Sequence, residues 1–384
     1  MRAAPLQILL EGRSMKAAVL YQTKTPLIIE DVKLDDCGPQ EVRIQVAASG
    51  LCHSDFHVIS GDMSTPLPSV LGHEIAGVVV ETGAQVSGLR RGDHVVTCLS
   101  SYCGHCRQCL GGTSYRCVAK PARSEQERPR LTLNGQAMGQ MGGLGGFAEQ
   151  VLVHQNAVAV MPREIPLDRA AVLGCAVVTG VGAAINSAKV RPGQSVVVVG
   201  CGGVGLNVIQ GARLAGAQTI IAVDRVPAKL ELARRFGATH ALLGDDDAAQ
   251  AVRAMTAGGV DHAFEAIGLA STQEMAFGML GVGGMLTLIG VPPAGARLSL
   301  ARLMPAILTE KRIQGSMMGS SAFQLDLPRF ARMYLDGQLM LDELVSQRLP
   351  LAAINEGFDA MLGGTVARSV IVFDDVLRDS LQAA

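Results

Sequence analysis

Four cysteines crowd into fifteen residues at Cys103, Cys106, Cys109 and Cys117, spaced C-x2-C-x2-C-x7-C. Four thiolates on one loop can close a tetrahedral shell around zinc and leave no position for a substrate, which predicts a structural metal. An iron–sulfur cluster is the competing reading, because three cysteines at two-residue gaps also serve there, but the usual spacing of the fourth ligand is absent. A second set is scattered: Cys52 in GLCHSDFH, His73 in GHE and Cys175 in LGCAVVTG. One imidazole and two thiolates suit a catalytic zinc whose fourth position stays open to water or an alcohol oxygen. The thiolate charges cancel that of the cation, so a hydroxyl losing its proton there holds the only net charge, beside a Lewis acid. Singly, a buried Cys is a small hydrophobe and a lone His a hydrogen-bonding group; the combination points to a metal.

The third pattern is GCGGVG, with Gly200, Gly202 and Gly205 placed after the run SVVVV, and Asp224 follows nineteen residues later at the end of TIIAVD. Between a strand and a helix, such glycines let the backbone approach a pyrophosphate at a helix N-terminus, and the acid takes the adenosine ribose hydroxyls. The alternative is a glycine-rich turn with no ligand. An acid here repels a 2′-phosphate, which favours NAD over NADP, although Arg225 stands next to it. The expected cofactor contacts also include Gly203, Val204 and Lys229.

These patterns need elements to hold them. From about Ser195 the runs SVVVVG, TIIAVD, HALLG, VDHAFEAIG, GGMLTLIG and KRIQGSM alternate with helix-like stretches such as PAKLELARRFGA. That alternation predicts right-handed βαβ units and a doubly wound parallel sheet. The earlier half, with EVRIQVAASG and HEIAGVVVETG between Gly, Pro and Asp, reads as short antiparallel strands, and RSVIVF near the end is another strand. The 384 residues exceed one ordinary core, so two domains are expected, the first interrupted by the second.

Composition narrows the function classes. The chain is 48% hydrophobic and 17% charged, which excludes a disordered protein. A net charge of -1 gives no basic footprint for nucleic acid. The longest charge-free run, 275–296, carries six Gly and the pair Pro292–Pro293, too broken to span a membrane as a helix. Leu6–Leu10 is too short a patch for a secretory signal, and nine cysteines are an odd number, so a soluble cytoplasmic protein without a disulfide framework is expected. Met15 begins MKAAVLYQ like a chain start, which makes residues 1–14 an N-terminal extension.

In these motifs and their order the sequence resembles the zinc-containing medium-chain dehydrogenases, alcohol dehydrogenase branch, from Met15 to about Phe373. The resemblance implies a GroES-like, mainly antiparallel β catalytic domain (15–177 and 320–384) around a Rossmann cofactor domain (178–319). It implies NAD and two zinc ions per chain, one held by Cys52, His73 and Cys175 and one by the four-cysteine loop. Polyol-oxidising relatives usually lack the cysteine matching Cys175. Ser54 would hydrogen-bond the substrate hydroxyl, His57 would end a proton relay, Asp55 would orient His73, and Glu74 would lie behind the metal; loop anchoring is the plainer role for Asp55 and Glu74. Thr179, Ile289, Gly290 and Val291 match positions bordering the nicotinamide.

Two departures from the family stand out. Many relatives place an Arg against the pyrophosphate where this chain has His53, so cofactor binding is expected to be looser and pH-dependent, with Arg368 as the firm cation. Pocket positions hold Met63, Leu99, Val291 and Met317, an apolar set with flexible thioethers that predicts a bulky or long hydrophobic alcohol. A thiol-adduct, formaldehyde-type dehydrogenase is the rival within the fold; its anchoring Arg and Asp are replaced by Pro121 and Met63, though a shifted alignment brings Arg123 near. A non-catalytic zinc and dinucleotide sensor is the rival outside it, and would not need Ser54 and His57. Short-loop tetrameric relatives lack most of the segment between Cys117 and Phe147, which points to a homodimer; its charge run EQERPR reads as a solvated loop. Cys37, Cys98 and Cys201 are read as structural.

Overall fold

Valines at alternate positions of one strand face opposite sides of a buried sheet. In Ser195–Val199, Val196 and Val198 pack with Leu206 and Ile209 on one side, while Val197 and Val199 join Ile221 and Val260 on the other. A strand apolar on both faces belongs inside a parallel sheet covered by helices. The computed structural model, which describes residues 14–373 apart from 246, 299–302 and 365, has that architecture. Six parallel strands run in the order His240–Leu243, Thr219–Asp224, Ser195–Val199, Val260–Glu265, Leu280–Leu288 and Arg312–Gly315. Numbered along the chain this is 3-2-1-4-5-6, with the direction of winding reversing beside Ser195–Val199, where doubly wound sheets bind ligands. The helices predicted between the runs form at Gly203–Leu214, Pro227–Arg235 and Ala248–Met255.

The rest of the chain forms two largely antiparallel sheets. In the second, Glu41–Gly50 is the organising strand, pairing with Glu74–Thr82, Gln150–His154 and Arg368–Val372. The last pairing sets Val370 opposite Gly50, so the chain returns to this second sheet after the parallel domain. The N-terminal extension, Ser14 aside, and residues 374–384 of the expected catalytic segment lie outside the described residues.

The charge run EQERPR is exposed from Glu125 to Arg128, as a solvated loop should be, while Arg130 at its end turns inward and Leu131–Leu133 extends the first sheet beside Ile28–Leu34. Arg123 and Arg130 converge on the buried carboxylate of Glu41, while Arg123 and Arg128 reach Asp35. Among the described residues no single helix is long and apolar enough to cross a membrane.

Candidate active site

The four-cysteine loop brings its thiols together without help from distant residues. The Sγ atoms of Cys106 and Cys109 lie 3.5 Å apart, and the Cys103–Cys109 and Cys106–Cys117 pairs each lie 3.9 Å apart. A tetrahedron of about 2.3 Å zinc–sulfur bonds has edges of about 3.8 Å, so the set fits zinc as it stands. Backbone N–H groups of Cys106 and Cys103 donate to the sulfurs of Cys103 and Cys117 at 3.3 Å. Such donors favour thiolate, and those of Cys109 and Val118 bring the Cys106 thiol down to about 6.

The second cluster is assembled by strand register. Glu41–Gly50 pairs with Glu74–Thr82 so that Gly50 faces Glu74, which sets Cys52, just past one strand, beside His73, just before the other. Cys175 arrives between the short helical turn Ala171–Gly174 and the buried helix Ala176–Gly182. Its sulfur lies 4.0 Å from that of Cys52, and ligand atoms of Cys52, His73, Glu74 and Cys175 all fall within 4.8 Å of one another. The hydrogen bond from Cys175 holds the Cys52 thiol well below its ordinary value, the direction that favours a thiolate ligand.

Asp55 organises this cluster. Its Oδ2 accepts from the Cys52 N–H at 3.1 Å, capping the helix His53–Ser60, and its Oδ1 accepts from the Gly72 N–H at 2.9 Å. The same Oδ1 lies 3.1 Å from His73 Nδ1. With Nδ1 engaged, His73 Nε2 is buried with no partner among the described residues, as a nitrogen awaiting a metal would be. Glu74 is fully buried, and burial pushes its carboxyl up to about 8 against the pull of Arg368, 3.4 Å away. Ser54 Oγ lies 3.8 Å from Cys52 Sγ. His57 follows three positions later on the same helix face, and its Nδ1 is 3.4 Å from Asp62 Oδ2. The sequence reading missed Asp62, which only the turn after Ser60 brings back to His57.

Opposite the cluster, the glycine-rich turn passes from Ser195–Val199 into the helix Gly203–Leu214, as its spacing predicts. A Cβ on Gly205 would strike the carbonyl oxygen of Gly200, and one on Gly203 would strike Arg368 Nε. That Nε is a buried donor without a partner among the described residues, while Nη1 donates to the Leu51 carbonyl at 2.9 Å. An unused cationic donor against a bare helix N-terminus fits a pyrophosphate. Asp224 ends its strand as expected, and its two oxygens accept from the N–H groups of Cys201 and Val226 at 2.8 and 2.9 Å. His53 stands at the start of its helix, its residue surface open but its ring crowded by protein, and this desolvation followed by the charge of Arg368 lowers its pKa.

Two family models match the chain: an alcohol dehydrogenase GroES-like domain over residues 38–163 and a zinc-binding dehydrogenase domain over 203–333. A protein of Mycobacterium tuberculosis named "Putative alcohol dehydrogenase D" is 38% identical over 363 residues, covering 93% of this chain and 99% of its own. The chain belongs to the zinc-containing medium-chain dehydrogenases, alcohol dehydrogenase branch. The solved benzyl alcohol dehydrogenase of Acinetobacter calcoaceticus is 31% identical with a TM-score of 0.89, over 94% of this chain and 99% of that one. A "putative zinc-binding dehydrogenase" of Sinorhizobium meliloti 1021, solved bound to NADP, is 26% identical with a TM-score of 0.77, over 94% and 99%. Zinc-binding oxidoreductases that use a nicotinamide cofactor are therefore this dehydrogenase's relatives.

The remaining predicted residues are placed less tightly in the dehydrogenase. Thr179 is buried on the helix after Cys175, and its hydroxyl donates to Met318 Sδ at 3.7 Å. Ile289 and Gly290 follow the strand Leu280–Leu288, with their N–H groups on the carbonyl of Glu265. Lys229 lies on Pro227–Arg235, near Gly364. Val204 begins the helix beside Gly203. Met63, Val291 and Met317 are exposed and Leu99 is half-buried. Arg123 spends its guanidinium on Glu41, Asp35 and the carbonyls of Asp36 and Arg128, leaving no nitrogen for a thiol adduct. Cys37, Cys98 and Cys201 are thiols that burial pushes up to about 11, 11 and 12, as inert structural cysteines should be.

Proposed function

We propose that the protein is an NAD-dependent alcohol dehydrogenase that reversibly oxidises a bulky or hydrophobic primary or secondary alcohol to its aldehyde or ketone, and that each chain holds two zinc ions. The observation carrying this reading is Arg368, one buried guanidinium that touches Glu74 of the metal-type cluster and lies against Gly203 of the dinucleotide turn. It puts the two halves of a redox reaction within a side chain's length.

Cys52, His73 and Cys175 would hold the catalytic cation, and Cys103, Cys106, Cys109 and Cys117 the structural one. When bound, zinc supplies a Lewis acid that lowers an alcohol's pKa, and the nicotinamide supplies the hydride acceptor. Asp55 fixes the tautomer of His73, leaving Nε2 free for the cation. Ser54 Oγ would accept the hydroxyl proton while giving up its own, and His57, one helical turn on and partly exposed, would end the relay by passing a proton to solvent. Asp62 steadies the His57 ring. Arg368 Nε and Lys229 supply positive character for the dinucleotide, His53 adds a ring nitrogen that is charged only in acid, and Asp224 disfavours a 2′-phosphate.

The apolar set Met63, Leu99, Val291 and Met317 supports a hydrophobic substrate, as does kinship with an enzyme named for benzyl alcohol. The engagement of Arg123 weighs against the thiol-adduct rival. All nine cysteines are free thiols, which suits a reducing compartment such as the cytoplasm. A homodimer joined through the cofactor domains is supported by the exposed side chains of Met304, Ile307 and Leu308 beside the edge strand Arg312–Gly315.

An alcohol panel followed by NADH absorbance, with NADP in parallel and metal content on the same sample, tests the reading. Turnover of benzylic or long-chain alcohols with NAD and two zinc per chain is expected. Turnover confined to thiol adducts, or none at all, overturns it; sedimentation decides the dimer.

A further inference from the structure

Glu265 ends the fourth strand of the parallel sheet and is fully buried, yet it is not part of either cluster described above. It lies in register with Val199, the residue before the glycine-rich turn, and with Leu288, the residue before Ile289. Its side chain therefore stands among the carboxyl ends of three adjacent strands, the rim where doubly wound sheets hold their ligands.

Three donors converge on one of its oxygens. Oε1 accepts from the N–H groups of Ile267 and Gly268 at 2.9 and 2.8 Å and from the Thr272 hydroxyl at 2.8 Å. The backbone carbonyl of the same residue accepts from Ile289 and Gly290 at 2.9 and 3.0 Å. One residue thus ties together two successive turns, and Ala266 links the first to the glycine-rich strand by donating to Val199 at 2.9 Å. Meanwhile Oε2 is buried without a partner among the described residues. A bare buried carboxylate oxygen costs stability, and such costs are commonly kept where they order a site.

We infer that Glu265 is a positioning residue for cofactor binding, its Oε1 acceptor holding the 266–268 turn, on which the 289–291 turn packs, as the wall facing the glycine-rich turn. This rests on the proposed reading that a nicotinamide dinucleotide lies along that turn. Without the acceptor, two backbone donors lose their partner, while the Thr272 hydroxyl turns to the Leu269 carbonyl 2.8 Å away, and the wall loosens on the cofactor side only. Gln retains an oxygen at the Oε1 position, so the amide suffices; Asp keeps the charge but withdraws it by one methylene.

The test uses the zinc-loaded enzyme. NADH dissociation constants are measured by fluorescence titration, and steady-state kinetics by varying cofactor and alcohol separately, for wild type, Glu265→Ala, Glu265→Asp and Glu265→Gln. Glu265→Ala is expected to weaken NADH binding about tenfold, the scale of one or two lost hydrogen bonds, and to raise the cofactor KM in parallel. Its kcat and its alcohol KM at saturating cofactor should stay within about threefold of wild type, since the metal cluster is untouched. Glu265→Gln should bind NADH within about twofold of wild type, and Glu265→Asp, which keeps a polar group there if Ala fails to fold, about threefold more weakly. A lowered unfolding midpoint with unchanged NADH affinity in Ala or Asp overturns the inference, as does a Gln variant as weak as Ala. If wild type itself binds no nicotinamide cofactor, the functional reading falls first, and that outcome is distinct from a variant-to-wild-type ratio of one.

Discussion

The loop from Cys103 to Cys117 builds its cluster within fourteen positions of chain, whereas Cys52 and Cys175 lie 123 positions apart. The first is partly exposed, and its sulfurs take hydrogen bonds from the loop's own backbone. The second is fully buried, with an unpartnered His73 Nε2 and an ionisable Glu74 behind it. On the proposed reading, a cluster closed by its own loop with four sulfurs has no vacancy to offer and would only stabilise. A cluster drawn from three separate elements, with only three soft ligands and an open side toward a dinucleotide turn, can do chemistry. The same atom types diverge in role because of what surrounds them.

Removing one ligand from each cluster should separate the roles. Cys52→Ser is expected to cut turnover by more than about a hundredfold, the cost typical of disturbing even a supporting partner, and to lower metal content from two ions to one with the fold intact by circular dichroism. Cys103→Ser should act on stability instead, lowering the unfolding midpoint on the order of 10 °C in a thermal scan, with residual activity in the folded fraction. Similar kinetic effects from both substitutions would erase the distinction. Asp55→Ala leaves all ligands in place and should weaken catalytic-site metal affinity roughly tenfold to a hundredfold in a chelator competition, without moving the structural ion.

The smallest effect is expected away from both clusters, at Glu41. Burial alone would raise its carboxyl, but hydrogen bonds from Arg123 and Arg130 hold it at about 2, below the ordinary 4.5. A depressed folded-state pKa contributes stability that is present above pH 4.5 and is lost as pH falls from there through about 2. Wild type should lose on the order of 2 kcal/mol over that window in denaturant titrations, and Glu41→Gln distinctly less. Equal acid sensitivity in both would show that the arginine cluster does not anchor the segment after Cys117.

The alternation of apolar runs and helical stretches after Ser195 was legible because both periodicities are local, and all six runs form strands of one sheet. The spacing of the four cysteines was legible for the same reason. Asp62 was not, because a lone acid after a helix carries no pattern until the turn folds it back onto His57. Arg130 reads as the end of a solvated charge run, and Arg123 as an anchor for a thiol adduct, because their partners, Glu41 and Asp35, lie more than 80 positions earlier. Glu265 reads as an ordinary strand-end acid until three donors are seen to meet on it.

Residue order within short windows carried the cysteine loop, the glycine-rich turn and the strands and helices of the parallel domain, since each depends on contacts a few residues apart. Which distant groups share a site was settled by strand register. Gly50 pairs with both Glu74 and Val370, and those two pairings bring Cys52, His73 and Arg368 to one point. Hydrogen-bond ladders act over space rather than along the chain, so no window of sequence contains that convergence.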